Sequence, residues 1–162
     1  MSDALRSILL GTAGLGLAAA LAILLTWMRG PVRADAAVLR AAARVAVVAL
    51  CVQLAHFAEE LATGFPRRFP AQLGLAPWPQ GFFVAFNVFW LAVWAWSARA
   101  LLARSRMALA ALWFLAIAGM ANAVVHPLLS LRAGGYFPGL VTSPLVGVAG
   151  CVLARKLCEV TR

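Results

Sequence analysis

AAARVAVVALCVQLAHFAEELATG, residues 41–64, is the most informative stretch of this chain. It is long and apolar enough to cross a bilayer as a helix, which takes about 20 residues. A strand in lipid would need a closed barrel to satisfy its backbone, and the alternation of barrel strands is absent. Yet the stretch carries His56, Glu59 and Glu60 near its end. Ionisable groups inside a membrane cost about 2.5–3.5 kcal/mol each on insertion scales, so each marks a functional site by default. At 100° per residue, Glu59 and Glu60 flank the azimuth of His56, and Gln53 and Thr63 share that face. The expected helix therefore has one polar stripe and an apolar back.

Four further apolar segments extend the pattern, at about residues 7–28, 81–101, 107–131 and 140–157. Together they predict an all-α, polytopic membrane bundle of five transmembrane helices, a single transmembrane domain over residues 1–162. Composition agrees: the chain is 64% apolar and 12% charged, against about 45–50% and 25% for soluble domains. The first segment is too long for a signal-peptide core and is read as a retained span whose Gly11, Gly14 and Gly16 permit close helix contact. Residues 65–80, with four Pro and two Arg, read as a loop. Cys51 and Cys151 read as small packing residues, and the three Cys show neither metal spacing nor a redox pair.

The net charge of +9 encodes orientation, not nucleic-acid binding, because the Arg residues sit between apolar runs and form no stripe. Arg29, Arg33, Arg40, Arg44, Arg99, Arg104, Arg106, Arg155, Lys156 and Arg162 fall at one membrane face, ten of the fourteen basic residues. Arg6, Arg67, Arg68 and Arg132 fall at the other. The positive-inside rule then predicts a plasma or inner membrane protein with its N-terminus outside and C-terminus in the cytoplasm. Membrane lipids and an apolar small-molecule substrate are the expected partners.

Depth supplies the strongest functional signal. His56 and the two glutamates lie in the outer half of the second span, and Asn87 lies near the outer start of the third. Asn122 and His126 lie four apart in the outer half of the fourth, while Tyr136, Thr142 and Ser143 lie near the start of the fifth. Different spans thus deliver polar groups to one level. Trp90 and Phe83 share the face of Asn87 and are expected to line a pocket. Trp27, Trp78, Trp94 and Trp96 are expected at the interfaces.

The string His56-Phe57-Ala58-Glu59-Glu60 resembles the signature of the HXXEE family of small multi-pass membrane proteins. Asn87, the Asn122–His126 pair and the segment Gly135-Tyr136-Phe137-Pro138-Gly139 are similar to later polar positions of that family. The resemblance implies a membrane-embedded site, enzymatic or metal-binding, without a defined reaction. A fainter likeness is to sterol isomerases of the EXPERA or emopamil-binding type, also five-span bundles with a His and acidic residues in an apolar cavity.

Three chemical readings follow. His56, His126, Glu59 and Glu60 can supply imidazoles and carboxylate to Zn or Fe, with Gln53, Asn87 and Asn122 orienting them and Trp90 lining the pocket. A hydrolase or oxygenase acting on a lipid or isoprenoid-like substrate would follow. Without metal, a carboxylic acid beside an imidazole can protonate an alkene or shift a double bond, as an isomerase or cyclase does. Without catalysis, the cluster is a proton or ion path, or part of a lipid-binding protein. The plainest alternative has Glu59 and Glu60 reaching the headgroups and pairing with Arg67 or Arg68.

Overall fold

The structure, a computed structural model, describes residues 2–162 and contains helices without strands among them. The helices are α1 (Asp3–Gly11), α2 (Ala13–Arg29), α3 (Ala36–Thr63), α4 (Phe65–Gln72), α5 (Gln80–Ala100), α6 (Arg106–Ala133) and α7 (Ser143–Val160). A 3-10 turn, Leu101–Ala103, follows α5 directly.

Helix ends fall where local chemistry puts them. Asp35 caps α3 by accepting from the N–H groups of Ala37 and Val38, and Ser105 caps α6 through Ala108 N–H. These bonds satisfy donors that a helix start leaves open. Gly64 and Gly134 close α3 and α6 in the left-handed conformation, with φ of 83° and 69°, which costs glycine little. α6 runs unbroken through Pro127.

α3, α5 with its 3-10 turn, and α6 are each long and apolar enough to cross a membrane; α1 and α2 together make a fourth such unit, bent by 42°. The expected first span is therefore broken at Thr12. α7 has 18 residues and includes Arg155, Lys156 and Glu159, so it is not among those candidates. Residues 65–72 form α4 where a loop was expected. Pro66 stands in its first turn, where the ring's fixed φ suits a helix and no donor is lost.

α6 is the hub. α2, α5 and α7 all pack on it, while α3 packs on α7 and α5. The α6–α7 contact is the tightest and is made by glycines. A Cβ on Gly119 would press on the carbonyl of Val146, one on Gly150 on the carbonyl of Ala116, and one on Gly147 on the side chain of Ala123. Close backbone approach of this kind is how membrane helices gain contact without a hydrophobic drive between them. Gly14 and Gly16, by contrast, have open space where a Cβ would stand. Of the three early glycines only Gly11 is closely approached, by Trp78 and by Phe69 of α4; the backbone-to-backbone close packing is in α6 and α7. Cys51 and Cys151 are also exposed rather than packed.

Opposite ends of the bundle differ in charge. Arg33 and Ala34 N–H donate to Val160 O, Arg29 donates to Thr161, and Arg104 donates to Val32 O. The ends of α2, α5 and α7 therefore meet the starts of α3 and α6 at a basic face. Large apolar side chains such as Leu17, Val48, Phe89, Leu128 and Val148 are exposed around the sides, a surface suited to an apolar surrounding.

Candidate functional site

At the other end, the last turns of α3 and α6 and the segment between α6 and α7 converge. His56 and His126 are 0% and 2% exposed, with ring centroids 4.8 Å apart at near-perpendicular planes. Glu60 Oε1 lies 3.6 Å from His56 Nε2 and 3.5 Å from His126 Nε2. The four-residue spacing puts Glu60 one turn after His56, while His126 comes from the neighbouring helix.

Hydrogen bonds set both rings. His126 Nδ1 lies 2.6 Å from the carbonyl of Pro138, which can only accept, so that nitrogen carries the proton. His56 Nδ1 lies 2.7 Å from the Thr142 hydroxyl. That hydroxyl gives its own proton to Glu59 Oε2 at 2.5 Å, so it too accepts from the ring. Both imidazoles therefore turn an Nε2 lone pair toward one carboxylate oxygen. Asn122 Nδ2 lies 3.3 Å from the same His56 Nε2, to which its N–H can donate.

Glu59 has a different task. Its carboxylate accepts from the Tyr136 hydroxyl at 2.7 Å, Val141 N–H at 3.0 Å, and Thr142 N–H at 2.8 Å as well as the Thr142 hydroxyl. Desolvation, with Glu59 beside it, holds the Tyr136 phenol above its ordinary pKa, so it stays a donor. Glu59 thus fastens the α6–α7 connection to α3 and positions His56 through Thr142. Arg68 donates to Tyr136 O and lies over the Phe137 ring. Neither glutamate pairs with Arg67 or Arg68, and Glu60 is 7% exposed, which removes the headgroup-pairing alternative for it.

Gly139, at φ 84°, crosses directly over the two imidazoles. A Cβ there would overlap the His126 ring and stand 2.8 Å from the His56 ring. Only glycine permits this approach.

The cluster opens onto a cavity of about 220 Å³ whose polar lining is Gln53, Glu60, Asn87, Asn122, His126 and Thr12. Asn87 donates back to Phe83 O on its own helix. The remainder is apolar and aromatic. Trp90 and Phe83 line it as expected, and so do Trp78 and Trp94, which are 7% exposed each and are not interface anchors. Trp27 and Trp96, at 70% and 51%, do face outward.

His56, Glu60 and His126 thus form one buried group whose ligand atoms all lie within 4.8 Å, a set that could hold a metal ion. Glu59, Gln53, Asn87 and Trp90 stand around it and not in it. Thr142, Pro138 and Gly139 are site residues too; the sequence put Thr142 at the polar level and Pro138 and Gly139 in the segment similar to the HXXEE family, but gave none of them a role.

The family described as proteins of unknown function with an HXXEE motif matches residues 46–154. The chain belongs to this family, and the motif's His56 and Glu60 are the two members that face His126, with Glu59 turned to the α6–α7 connection. Comparison with curated proteins and with solved structures finds no match.

Proposed function

We propose that this protein is a membrane-embedded, metal-dependent enzyme acting on a lipid or isoprenoid-like substrate. The observation that carries the reading is the pair of 3.5 and 3.6 Å separations between Glu60 Oε1 and the two Nε2 atoms. They are too long for hydrogen bonds. They suit two ligands sharing one metal, which stand roughly 3.3–3.6 Å apart when each bond is about 2.0–2.1 Å. Two imidazoles and one carboxylate suit Zn or Fe(II) and leave coordination positions open. Such an ion would polarise a substrate oxygen or a bound water. The ring protons held by Pro138 and by Thr142–Glu59 supply the outer hydrogen bonds that metal-bound histidines need.

In this reading all five segments cross, α7 included. Its 18 residues give about 27 Å of helix at 1.5 Å per residue, close to the roughly 30 Å hydrocarbon core. Its start meets Glu59 of α3 and its end meets Arg33, so it runs alongside much of α3. Arg155 and Lys156 lie in its last two turns, at the basic face. The N-terminus is outside, the C-terminus is cytoplasmic, and the site opens in the outer half.

Purification without chelators followed by elemental analysis tests the proposal. About one Zn or Fe per chain is expected, with loss in His56→Ala and Glu60→Gln. A metal-free protein that binds no added Zn or Fe would overturn it. A metal-free acid–base isomerase or cyclase is then the second reading, favoured by one fact: the same Glu60 carboxyl lines a largely apolar cavity between two nitrogen bases. A proton or ion pathway comes third.

A further inference from the structure

The cavity is walled on one side by the broken first helix pair. Gly11, Thr12, Gly14, Leu15 and Ala18 line it, facing Phe86 and Trp90 of α5 across the space. α2 and α5 both lie on α6 but do not pack extensively on each other. Gly14 is exposed as well as cavity-lining, and nothing stands within 4 Å of where its Cβ would be. The side of the bundle between α2 and α5 is therefore thin, and it faces the apolar solvent. Beyond the α1–α2 junction, α1 is tied down mainly by Ser7 Oγ donating to Ala76 O and by Trp78 lying on Gly11.

Inside, three cavity-lining residues offer polar atoms without a protein partner among the described residues: Gln53, and Trp78 and Trp94 through their Nε1 atoms. Gln53 is 7% exposed and lines the cavity, and its amide makes no side-chain hydrogen bond among the described residues. Its amide opens onto the cavity, so an oxygen placed there can accept from it. It lies one helical turn before His56.

We propose that the cavity takes an amphiphile with a single hydrocarbon chain, which enters sideways from the lipid between α2 and α5. Its hydroxyl or carbonyl oxygen bonds to Gln53 at the His56–Glu60–His126 end, and its chain lies along Phe86, Trp90 and Leu15. Size supports one chain: a 150 Å³ apolar cavity holds a benzene, so about 220 Å³ holds one chain segment and not a two-chain lipid. The proposal rests on the enzymatic reading only for what happens to the bound oxygen.

The test uses two probes in detergent-solubilised full-length protein, a dodecanol with a diazirine near its chain end and the corresponding diazirine alkane, with crosslinks mapped by mass spectrometry. Alcohol crosslinks are expected on Leu15, Phe86 or Trp90 of the cavity, besides those on exposed Val88 and Phe89. In Gly14→Trp, whose side chain stands in the entry, cavity crosslinks fall at least fivefold while Val88 and Phe89 stay within twofold. Gly16→Trp is the control that stays at wild-type level, because Gly16 does not line the cavity; Gly14→Leu replaces Gly14→Trp if the latter is not obtained folded. In Gln53→Leu, cavity labelling by the alcohol falls at least threefold and labelling by the alkane does not. Unchanged cavity labelling in folded Gly14→Trp or Gly14→Leu overturns sideways entry. Equal response of both probes to Gln53→Leu overturns the role of the oxygen. Cavity residues unlabelled in the wild type overturn the whole proposal. Metal content measured on the same samples separates the two ideas: a metal-free protein with entry-dependent labelling sinks only the metal centre, and a metal-loaded protein without cavity labelling sinks only the amphiphile.

Discussion

The seam between α6 and α7 and the gap between α2 and α5 use the same residue type to opposite ends. In the seam, Gly119, Gly147 and Gly150 have a neighbouring backbone or side chain where a Cβ would stand. On α2, Gly14 beside the gap and Gly16 away from the cavity have nothing there. One set of glycines brings helices into contact; in the other, Gly14 leaves room beside a cavity. The contrast assigns rigidity to the side that carries the α6–α7 connection over the imidazoles, and access to the side away from it.

The largest effect should come from closing off the seam's contact. Gly147→Leu inserts a side chain where Ala123 already sits, and overpacking of this kind costs about 1–3 kcal/mol or more. Thermal unfolding in detergent should show a marked loss of stability, and bound metal should fall with it because the connection that orients both histidines moves. A Gly147→Leu protein as stable as wild type would show that the seam is not rigid.

Next is the cluster itself. Glu60→Gln removes the only carboxylate shared by both Nε2 atoms, and metal affinity measured by chelator competition should drop by more than 100-fold. Glu59→Gln and Thr142→Val act one bond further out. Each should weaken metal binding about 10–100-fold, the range for outer hydrogen-bond partners of metal-bound histidines. If Glu59→Gln were as damaging as Glu60→Gln, the division of labour between the two glutamates would be wrong. Gly139→Ala sharpens the same point from the backbone side. It should reduce metal content through the overlap with the two rings, while circular dichroism shows the helices intact.

The smallest effect belongs to the open face of α2. Gly16→Ala should leave stability unchanged or raise it by up to about 0.5–1 kcal/mol, the helix preference of Ala over Gly, as read from the unfolding midpoint. A clear loss would mean that α2 packs more closely than this structure has it.

Much of the site was legible because its logic is local. The i, i+3 and i+4 spacing of His56, Glu59 and Glu60 puts them on one face whatever surrounds the helix, and the cost of ionisable groups in an apolar segment marks them as purposeful. His126 could be added because segment lengths fix depth. The split between the two glutamates was not legible. Their azimuths differ by one residue's rotation, and which one faces His126 depends on where α6 lies and where the α6–α7 connection returns. The openness at Gly14 and Gly16 was hidden for the same reason. A small residue in an apolar helix states that something can come near, and not whether anything does. Trp78 and Trp94 were placed at interfaces by type, but both are buried within the aromatic wall of the cavity.

By itself, then, the amino-acid sequence determined an all-helical chain with segments fit for a membrane, the basic face, the polar level and the identities of His56, Glu60 and His126. These follow from backbone hydrogen bonding, helix periodicity and charge cost, which act within one segment. Tertiary structure alone decided the break at Thr12, the seam made by α6 and α7, the fastening of residues 136–142 by Glu59, and the cavity beside the cluster. Each depends on which helix faces which, and that is set by packing between segments far apart in the chain.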